Sequence, residues 1–140
     1  MARHSKNCKH SRLIKMKKFS TDWKSSTKRS KQRKYRINAP LHIKQKLAHS
    51  HLSKDLREKY GKRNANVRKG DKVKIMRGQF KKHEGKVERL DLKKSLVFVS
   101  GVEITKKDGT KKLLPSNPSN LMITELNLDD KTRQQSLERK

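Results

Sequence analysis

The stretch RGQFKKHEG, residues 77–85, places cationic, amide and aromatic side chains between two glycines. Lysine and arginine contact phosphates, and an aromatic ring can stack on an unpaired base, which stabilises the complex by about 1–3 kcal/mol. Glycine permits positive φ or close backbone approach, which suits a sharp loop between two strands. The candidate RNA-binding residues of this loop are Arg77, Gly78, Gln79, Phe80, Lys81, Lys82 and His83. A solvated hairpin loop without a ligand is the alternative interpretation.

The overall charge of the chain indicates a polyanionic partner. Its 140 residues include 40 Lys and Arg against 13 Asp and Glu, which gives a formal charge of +27. Such a field attracts nucleic acid and opposes self-association. Only 29% of the residues are hydrophobic, so we expect one small core and segments that fold against a partner.

The N-terminal residues concentrate this charge. Residues 1–40 hold 14 Lys and Arg and a single acid, Asp22, and they show no sustained apolar period. We therefore predict an extended basic RNA-binding arm over residues 1–39. A disordered tail that only promotes solubility is the alternative. The candidate RNA-binding residues are Arg12, Lys15, Lys17, Lys18, Lys28 and Arg29, with Lys44 just beyond the arm.

The other polar residues form no recognisable catalytic or metal site. His4, Cys8 and His10 fall short of the four ligands that a structural zinc site normally needs. No P-loop or dinucleotide-binding glycine pattern occurs, and no carboxylate pair indicates acid–base catalysis. We therefore predict no catalytic residue, no metal and no cofactor.

The sequence also argues against membrane and secretory roles. No stretch has the length and apolar content of a membrane-spanning helix. The basic N-terminus lacks the apolar core of a signal peptide, and its apolar face is too weak for a transit peptide. The single cysteine fits a reducing compartment.

Short helices are predicted between the arm and the loop. Pro40 and Ser53 suit the first turns of two helices, and Gly61 suits the end of the second. Residues 40–66 are therefore predicted to form a short helical segment. At the other end of the chain, residues 126–140 are predicted to form a short helix and tail capped by Asp129 or Asp130.

Residues 67–125 show a different pattern, in which apolar and polar residues alternate with period two. Five short runs of this kind, separated by turns rich in glycine, proline and asparagine, predict five strands. Because there is little helix between them, the pattern favours a small closed or nearly closed antiparallel barrel, which hides its sheet edges.

Residues 68–102 resemble a KOW motif through the sequence RKGDKVKIMRGQFKKHEGKVERLDLKKSLVFVSGV, with Gly85 at the position of its characteristic glycine. The flanks RKYRINAPLHIKQKLAHSHLSKDLREKYGKRNANVRKGD and LNLDDKTRQQSLERK are similar to the KOW-domain proteins of the large ribosomal subunit, in their archaeal and eukaryotic form. The resemblance covers residues 28–140, and the preceding residues form a longer or more divergent arm than it implies.

The resemblance implies a mainly β fold, with a five-stranded SH3-like (KOW) barrel, short helices and an extended basic N-terminal arm. It implies a structural constituent of the large ribosomal subunit that binds ribosomal RNA near the nascent-chain exit tunnel and supports subunit assembly and translation. The implied partners are this RNA and neighbouring ribosomal proteins, with nascent chains and targeting factors as further candidates and no homo-oligomer. The implied location is the cytoplasmic ribosome, and the nucleolus during assembly in a eukaryote. The family's RNA-contacting positions in the arm match Lys31, Arg33, Lys34, Tyr35, Arg36, Asn38 and Pro40.

Two other classes of function remain open at this point. A KOW-type transcription elongation factor would bind RNA and RNA polymerase, but it usually places an α/β domain ahead of the barrel, and residues 1–66 lack the periodicity for one. A cationic protein of the membrane surface would need a stronger amphipathic face than the arm has.

Overall fold

A computed structural model of the protein describes residues 19–139, which fall into two units, one ending at Ala39 and the other beginning at Pro40. The helices are α1 Arg29–Asn38, α2 Leu41–Leu47, α3 Lys54–Tyr60 and α4 Lys131–Glu138. The strands are β1 His49–Leu52, β2 Asn64–Asn66, β3 Lys72–Ile75, β4 Glu84–Asp91, β5 Leu96–Thr105, β6 Lys111–Ser116 and β7 Leu121–Glu125. Two short 3-10 helices span Thr21–Ser25 and Pro118–Asn120.

The first unit is helical where the sequence predicted an extended arm. A 3-10 helix precedes α1, and the side-chain amide of Gln32 donates to the carbonyl of Ser26 at 2.7 Å. The prediction was wrong for this stretch because apolar periodicity reports burial, whereas arginine, lysine and glutamine favour helix without any apolar face. The helix ends before Ala39 because a residue that precedes proline disfavours helical geometry.

The second unit is built on one sheet with the strand order β2-β1-β7-β3-β4-β5-β6. Strands β3 to β7 correspond to the five predicted strands, and buried side chains alternate with more exposed ones on β3, β7 and the first half of β5. The largest fully buried apolar side chains are Leu52, Val67, Val73, Val87, Val97, Val99, Val102, Leu121 and Ile123. The mainly β class is confirmed, and the core is as small as the composition indicates.

Strands β1 and β2 lie in the segment that was predicted to be helical. Helices α2 and α3 are present, but β1 pairs antiparallel with β2 and parallel with β7. On β1, Ser50 is buried because its hydroxyl donates to the carbonyl of Pro118 at 2.6 Å. A strand of four residues with a buried serine gives no readable hydrophobic alternation, which explains why the sequence did not reveal it.

The predicted closed or nearly closed five-stranded barrel is also corrected, since the sheet has seven strands and its pairing is open. The pairing continues past β7 because β1 occupies the side of β7 that β3 leaves available. The open edges are protected in two ways. Pro115 on β6 removes a backbone donor, and the carbonyl of Asn66 on β2 accepts a hydrogen bond from Arg133 at 2.9 Å.

Helix caps occur where the sequence placed them. The Ser53 hydroxyl accepts from the backbone N–H of Leu56 at 3.4 Å, and Gly61 ends α3 in the left-handed region with φ +63°. The Asp130 carboxylate accepts from the backbone N–H of Thr132 at 2.8 Å and caps α4. These contacts fix the lengths of two helices that are too short to be stable alone.

A buried ion pair holds α4 against the sheet. The two terminal guanidinium nitrogens of Arg133, Nη1 and Nη2, donate to the Asp71 carboxylate at 2.6 and 2.7 Å, and neither residue is more than 6% exposed. The same carboxylate accepts from the backbone N–H groups of Arg68 and Asn127, at 2.8 and 2.9 Å. Since both carboxylate oxygens and both terminal guanidinium nitrogens have partners, the two charges are compensated although they are buried.

Candidate nucleic-acid interface

The first unit presents its cations on α1, whose residues are all exposed except Tyr35, which is half-buried. With 3.6 residues per turn, Arg29, Arg33 and Arg36 share one side of the helix, and Lys31 and Lys34 lie toward the opposite side. We call these five residues the α1 surface. Within the described residues, none of them forms a salt bridge.

The positive charges of the α1 surface repel one another. Like charges at spacings of three and four residues destabilise a helix, and α1 contains no acidic residue to offset them. Its ten residues are also fewer than the roughly 12–15 that an isolated helix needs for stability in water. An anionic partner would remove this repulsion, so the helix is suited to binding along a phosphate backbone.

Aromatic side chains in the first unit contact each other. The Tyr35 ring stacks on Phe19, with centroids 5.3 Å apart and an angle of 28° between the planes. Tyr35 is a predicted RNA-binding residue, and in this arrangement Phe19 covers one face of its ring. The other predicted residues here take simple positions, with Lys28 just before α1 and Asn38 at its last turn.

The second unit presents cations on residues 76–83, the segment between β3 and β4, which we call the hairpin loop. Backbone hydrogen bonds join the two ends of the loop. The N–H of Ile75 donates to the carbonyl of His83 at 2.9 Å, and the N–H of Lys82 donates to the carbonyl of Ile75 at 2.8 Å. Within the loop, Lys81 N–H donates to the carbonyl of Gly78 at 3.1 Å. These bonds give the loop one defined shape without any ligand.

Two residues of the hairpin loop have positive φ. Gly78 adopts φ +100°, which glycine tolerates, whereas Lys82 adopts φ +73°, which is costly for a residue with a side chain. A glycine at position 82 would avoid this strain. The lysine side chain is therefore presented at the expense of backbone stability.

The side chains of the hairpin loop separate into two groups. Arg77, Gln79, Lys81 and Lys82 are exposed. Phe80 is half-buried and packs against the core, and the Nε2 atom of His83 lies 3.1 Å from the carbonyl oxygen of Ser100. Phe80 and His83 thus anchor the loop to the sheet, while these four polar side chains and the exposed Met76 face solvent.

Gly85 sets the position of the loop through close packing rather than through positive φ. A Cβ atom at this position would lie 2.6 Å from the carbonyl oxygen of Ser100 and 2.9 Å from a methyl group of Val99. The absence of a side chain lets β4 approach β5, and Lys86 N–H then donates to the Ser100 hydroxyl at 2.9 Å. This is the physical requirement for glycine at the position singled out by the sequence.

Acidic residues near the loop already have partners. Glu84 lies 2.9 Å from Lys74, and the hydrogen bond from Lys74 lowers the pKa of the Glu84 carboxyl. Glu125 lies 2.9 Å from Lys72, and that hydrogen bond raises the pKa of the Lys72 ammonium. In the part of the chain that the structure describes, Arg77, Lys81 and Lys82 form no salt bridge, so their charge is available to a ligand.

Other predicted residues lie elsewhere or outside the structure. The Lys44 ammonium donates to the carbonyl of Lys93 at 3.3 Å, so this side chain leans on the turn between β4 and β5. Arg12, Lys15, Lys17 and Lys18, and the histidines and cysteine weighed as zinc ligands, lie outside the described residues. Over residues 19–139, no three His, Cys, Asp or Glu side chains lie close enough together to hold a metal ion.

One charged contact on the outer face of the sheet was not predicted from the sequence. The guanidinium of Arg89 on β4 lies 4.3 Å from the centre of the Phe98 ring on β5. Successive side chains of a strand point to opposite faces of the sheet. If Val97 and Val99 face the core, Phe98 between them must face away from it. Among the described residues, no helix is long and apolar enough to cross a membrane.

Comparison with known proteins gives a consistent result. A family model described as ribosomal proteins L26 of eukaryotes and L24 of archaea matches residues 26–140. The large ribosomal subunit protein uL24 of Methanothrix thermoacetophila is 50% identical over 109 residues, which cover 78% of this chain and 94% of the relative. The protein of the same name from Methanocorpusculum labreanum is 49% identical over 114 residues, which cover 81% and 94% of the two chains. The chain therefore belongs to the family of ribosomal proteins that comprises the eukaryotic L26 and archaeal L24 proteins.

Proposed function

We propose that this protein is a structural constituent of the large ribosomal subunit and binds ribosomal RNA through the α1 surface and the hairpin loop. Family membership over residues 26–140 is the observation that carries the assignment to the subunit. Cations without acidic partners on both surfaces support RNA as the ligand. The established family is one of structural proteins, which agrees with the prediction of a non-enzymatic role.

The two surfaces bind mainly by neutralising phosphates. Arginine on the α1 surface can donate two parallel hydrogen bonds to one phosphate, whereas Lys81 and Lys82 act as compact point charges. Gln79 adds a side chain that both donates and accepts hydrogen bonds. Phe80 and His83, which anchor the loop, contribute by holding these groups in place.

The finer architecture follows from the strand order. Strands β3 to β7 are neighbours in the order β7-β3-β4-β5-β6, and we propose that they form the SH3-like KOW unit of this protein. Residues 1–39 then act as the RNA-binding arm, residues 40–66 extend the sheet, and residues 126–140 carry α4. We further propose a position near the nascent-chain exit tunnel, with neighbouring ribosomal proteins as contacts on cytoplasmic ribosomes.

Sedimentation of ribosomal subunits tests this function. A tagged copy of the full chain should co-sediment with large subunits after a high-salt wash, and replacing both Lys81 and Lys82 by alanine should lower its occupancy while leaving the unfolding temperature unchanged. Retention only in fractions that contain RNA polymerase would instead favour the elongation-factor alternative. Failure to sediment with subunits would reject the proposal.

The response to salt tests the electrostatic basis of binding. Each neutralised phosphate should add up to about −0.9 to the slope of log affinity against log salt, with about −0.7 on single strands. With both surfaces engaged, the slope should be steep. A nearly flat response, measured by filter binding to purified large-subunit RNA, would contradict binding through phosphates.

A further inference from the structure

A groove on the outer face of β4, β5 and β6 lies apart from the hairpin loop. Its volume is about 660 Å³. It is lined by Lys69, Glu88, Arg89, Phe98, Lys111, Lys112 and Leu113. None of these residues is among the predicted RNA-binding residues, so the proposed function assigns no role to this groove.

A β-bulge aims Arg89 into this groove. Val87 is paired with Val99, and uninterrupted pairing would place Arg89 opposite Val97, on the core side of the sheet. The register shifts between Val87 and Arg89, so Arg89 instead faces Phe98. One extra residue in β4 therefore turns the arginine outward, and bulges commonly re-aim side chains in this way at functional sites.

Arg89 and Phe98 form a cationic and aromatic platform in the groove. Arg89, Phe98 and Pro115 form a row across the three strands, and the Arg89 guanidinium lies 4.3 Å from the Phe98 ring centre. A guanidinium that lies over an aromatic ring is held flat and keeps its outer face for another planar group. Nucleic-acid bases are planar groups that stack on arginine and on aromatic side chains.

The rim of the groove carries an excess of positive charge. Lys69, Lys111 and Lys112 line the groove with the platform, and Glu88 is the single acid among the lining residues. Within residues 19–139, these three lysines and Arg89 form no salt bridge. Cations alone would suit an acidic peptide as well as RNA. A platform of this kind with cations in the same groove matches a nucleotide better, since a nucleotide combines a planar base with a phosphate.

We propose that this groove binds an unpaired segment of ribosomal RNA, with one base stacked on the Arg89–Phe98 pair and the adjoining phosphates at Lys111 and Lys112. The inference rests on the proposed ribosomal RNA binding and adds a third contact surface to it. The contact requires unpaired RNA, because a base within a duplex cannot present its face to the platform.

Ultraviolet crosslinking with peptide identification tests the groove directly. The full chain is irradiated in purified large subunits and in mixtures with short oligouridine RNA, with a fully paired RNA duplex or with polyglutamate. Trypsin cleavage after Lys94 and Lys106 isolates Phe98 in one peptide, separate from Phe80 and from α1. We expect nucleotide adducts on this peptide in the subunits and with oligouridine, but not with the duplex.

Two matched variants sharpen the result. Arg89→Gln should lower the adduct yield on the Phe98 peptide by about fivefold or more, since base stacking contributes at least about 1 kcal/mol. Lys59→Gln removes one charge from a similar pair, in which the ammonium lies 5.4 Å from the Tyr60 ring centre on α3. This control should leave the yield within about twofold of wild type, because the loss of one exposed charge has only a small effect. Equal unfolding temperatures establish that both variants are folded.

The outcomes separate the groove from the function as a whole. Adducts on α1 and hairpin-loop peptides without any on the Phe98 peptide would overturn the groove proposal and leave the proposed function standing. An absence of adducts throughout the chain would contradict the proposed function itself. If polyglutamate shifts the backbone amide resonances of Arg89 and Phe98 while oligouridine leaves them unchanged, the groove is a site for an acidic protein segment and the RNA proposal is wrong.

Discussion

The α1 surface and the hairpin loop both expose cations, yet their shapes have different origins. The loop is pinned by backbone bonds from Ile75 and is anchored on the core by Phe80, so its geometry exists before any ligand arrives. Helix α1 has no buried residue and is opposed by its own charges. If both surfaces bind RNA as proposed, the loop would bind as a preformed site, whereas α1 would gain much of its stability from the RNA itself.

The largest effect is expected for the buried ion pair that holds α4 against the sheet of the second unit. Replacing Arg133 by methionine leaves the carboxylate of Asp71 buried and without its cation, which should cost about 3–5 kcal/mol of unfolding free energy in urea titration. The exposed Arg139, at the end of the same helix, serves as control, and its replacement by methionine should cost less than about 0.5 kcal/mol. If the Arg133 and Arg139 variants had equal unfolding free energies, the buried ion pair would not stabilise this unit.

The next effect concerns the affinity that α1 contributes. Replacing Arg29, Arg33 and Arg36 together by glutamine should make the log–log salt slope shallower by up to about 2.7, since each phosphate contact contributes about 0.9. Replacing Lys54, Lys59 and Arg139 by glutamine removes the same charge from other exposed positions and should change the slope little. If RNA caused no increase in helical circular dichroism of the wild type, the view that α1 depends on RNA would be wrong.

A smaller effect on stability is expected at Gly85, where β4 lies unusually close to β5. Gly85→Ala forces a Cβ atom against the Ser100 carbonyl, and such overpacking costs about 1–3 kcal/mol. Gly109→Ala is the matched control, because Gly109 has φ +75° and open space around it, so only the backbone strain of about 1 kcal/mol remains. Affinity for RNA should fall with Gly85→Ala and stay unchanged with Gly109→Ala. Equal losses of stability and affinity in the two variants would show that close packing is not what positions the loop.

The smallest effect separates binding from stability within the hairpin loop. Lys82→Gly relieves positive φ and should raise the unfolding free energy by up to about 1 kcal/mol, while RNA affinity falls several-fold with the lost charge. Lys81→Gly, at a neighbouring position without positive φ, should lower both quantities. A Lys82→Gly variant that is less stable than wild type would show that the strain is not the relevant term.

The sequence revealed those parts of the fold in which side-chain chemistry repeats along the chain. Val73 and Ile75 alternate with lysines, and Val97 and Val99 lie in a short run of β-branched and aromatic residues, so their strands were predictable. Helix α1 was hidden because it buries nothing, and β1 was hidden because a serine replaces an apolar residue in its alternation. A one-residue bulge such as the one before Arg89 leaves no mark in the alternation.

The residue types of the candidate site were predictable from the sequence. Which side chains face solvent and which hold the loop in place was not predictable. The exposed cations of the hairpin loop were recognisable from Gly78 and the charges around it. That Phe80 and His83 hold the loop rather than face solvent depends on packing against a distant part of the chain. Asp71 and Arg133 are 62 residues apart, and no local pattern connects them.

The sequence separation of Asp71 and Arg133 has a consequence for folding during synthesis. The carboxylate leaves the translating ribosome 62 residues before the guanidinium that neutralises it. Until then the nascent sheet would have to bury an uncompensated charge, which disfavours premature closure. We therefore expect this unit to reach its final packing only after α4 has been synthesised, whereas the cationic residues of α1 are synthesised well before that point.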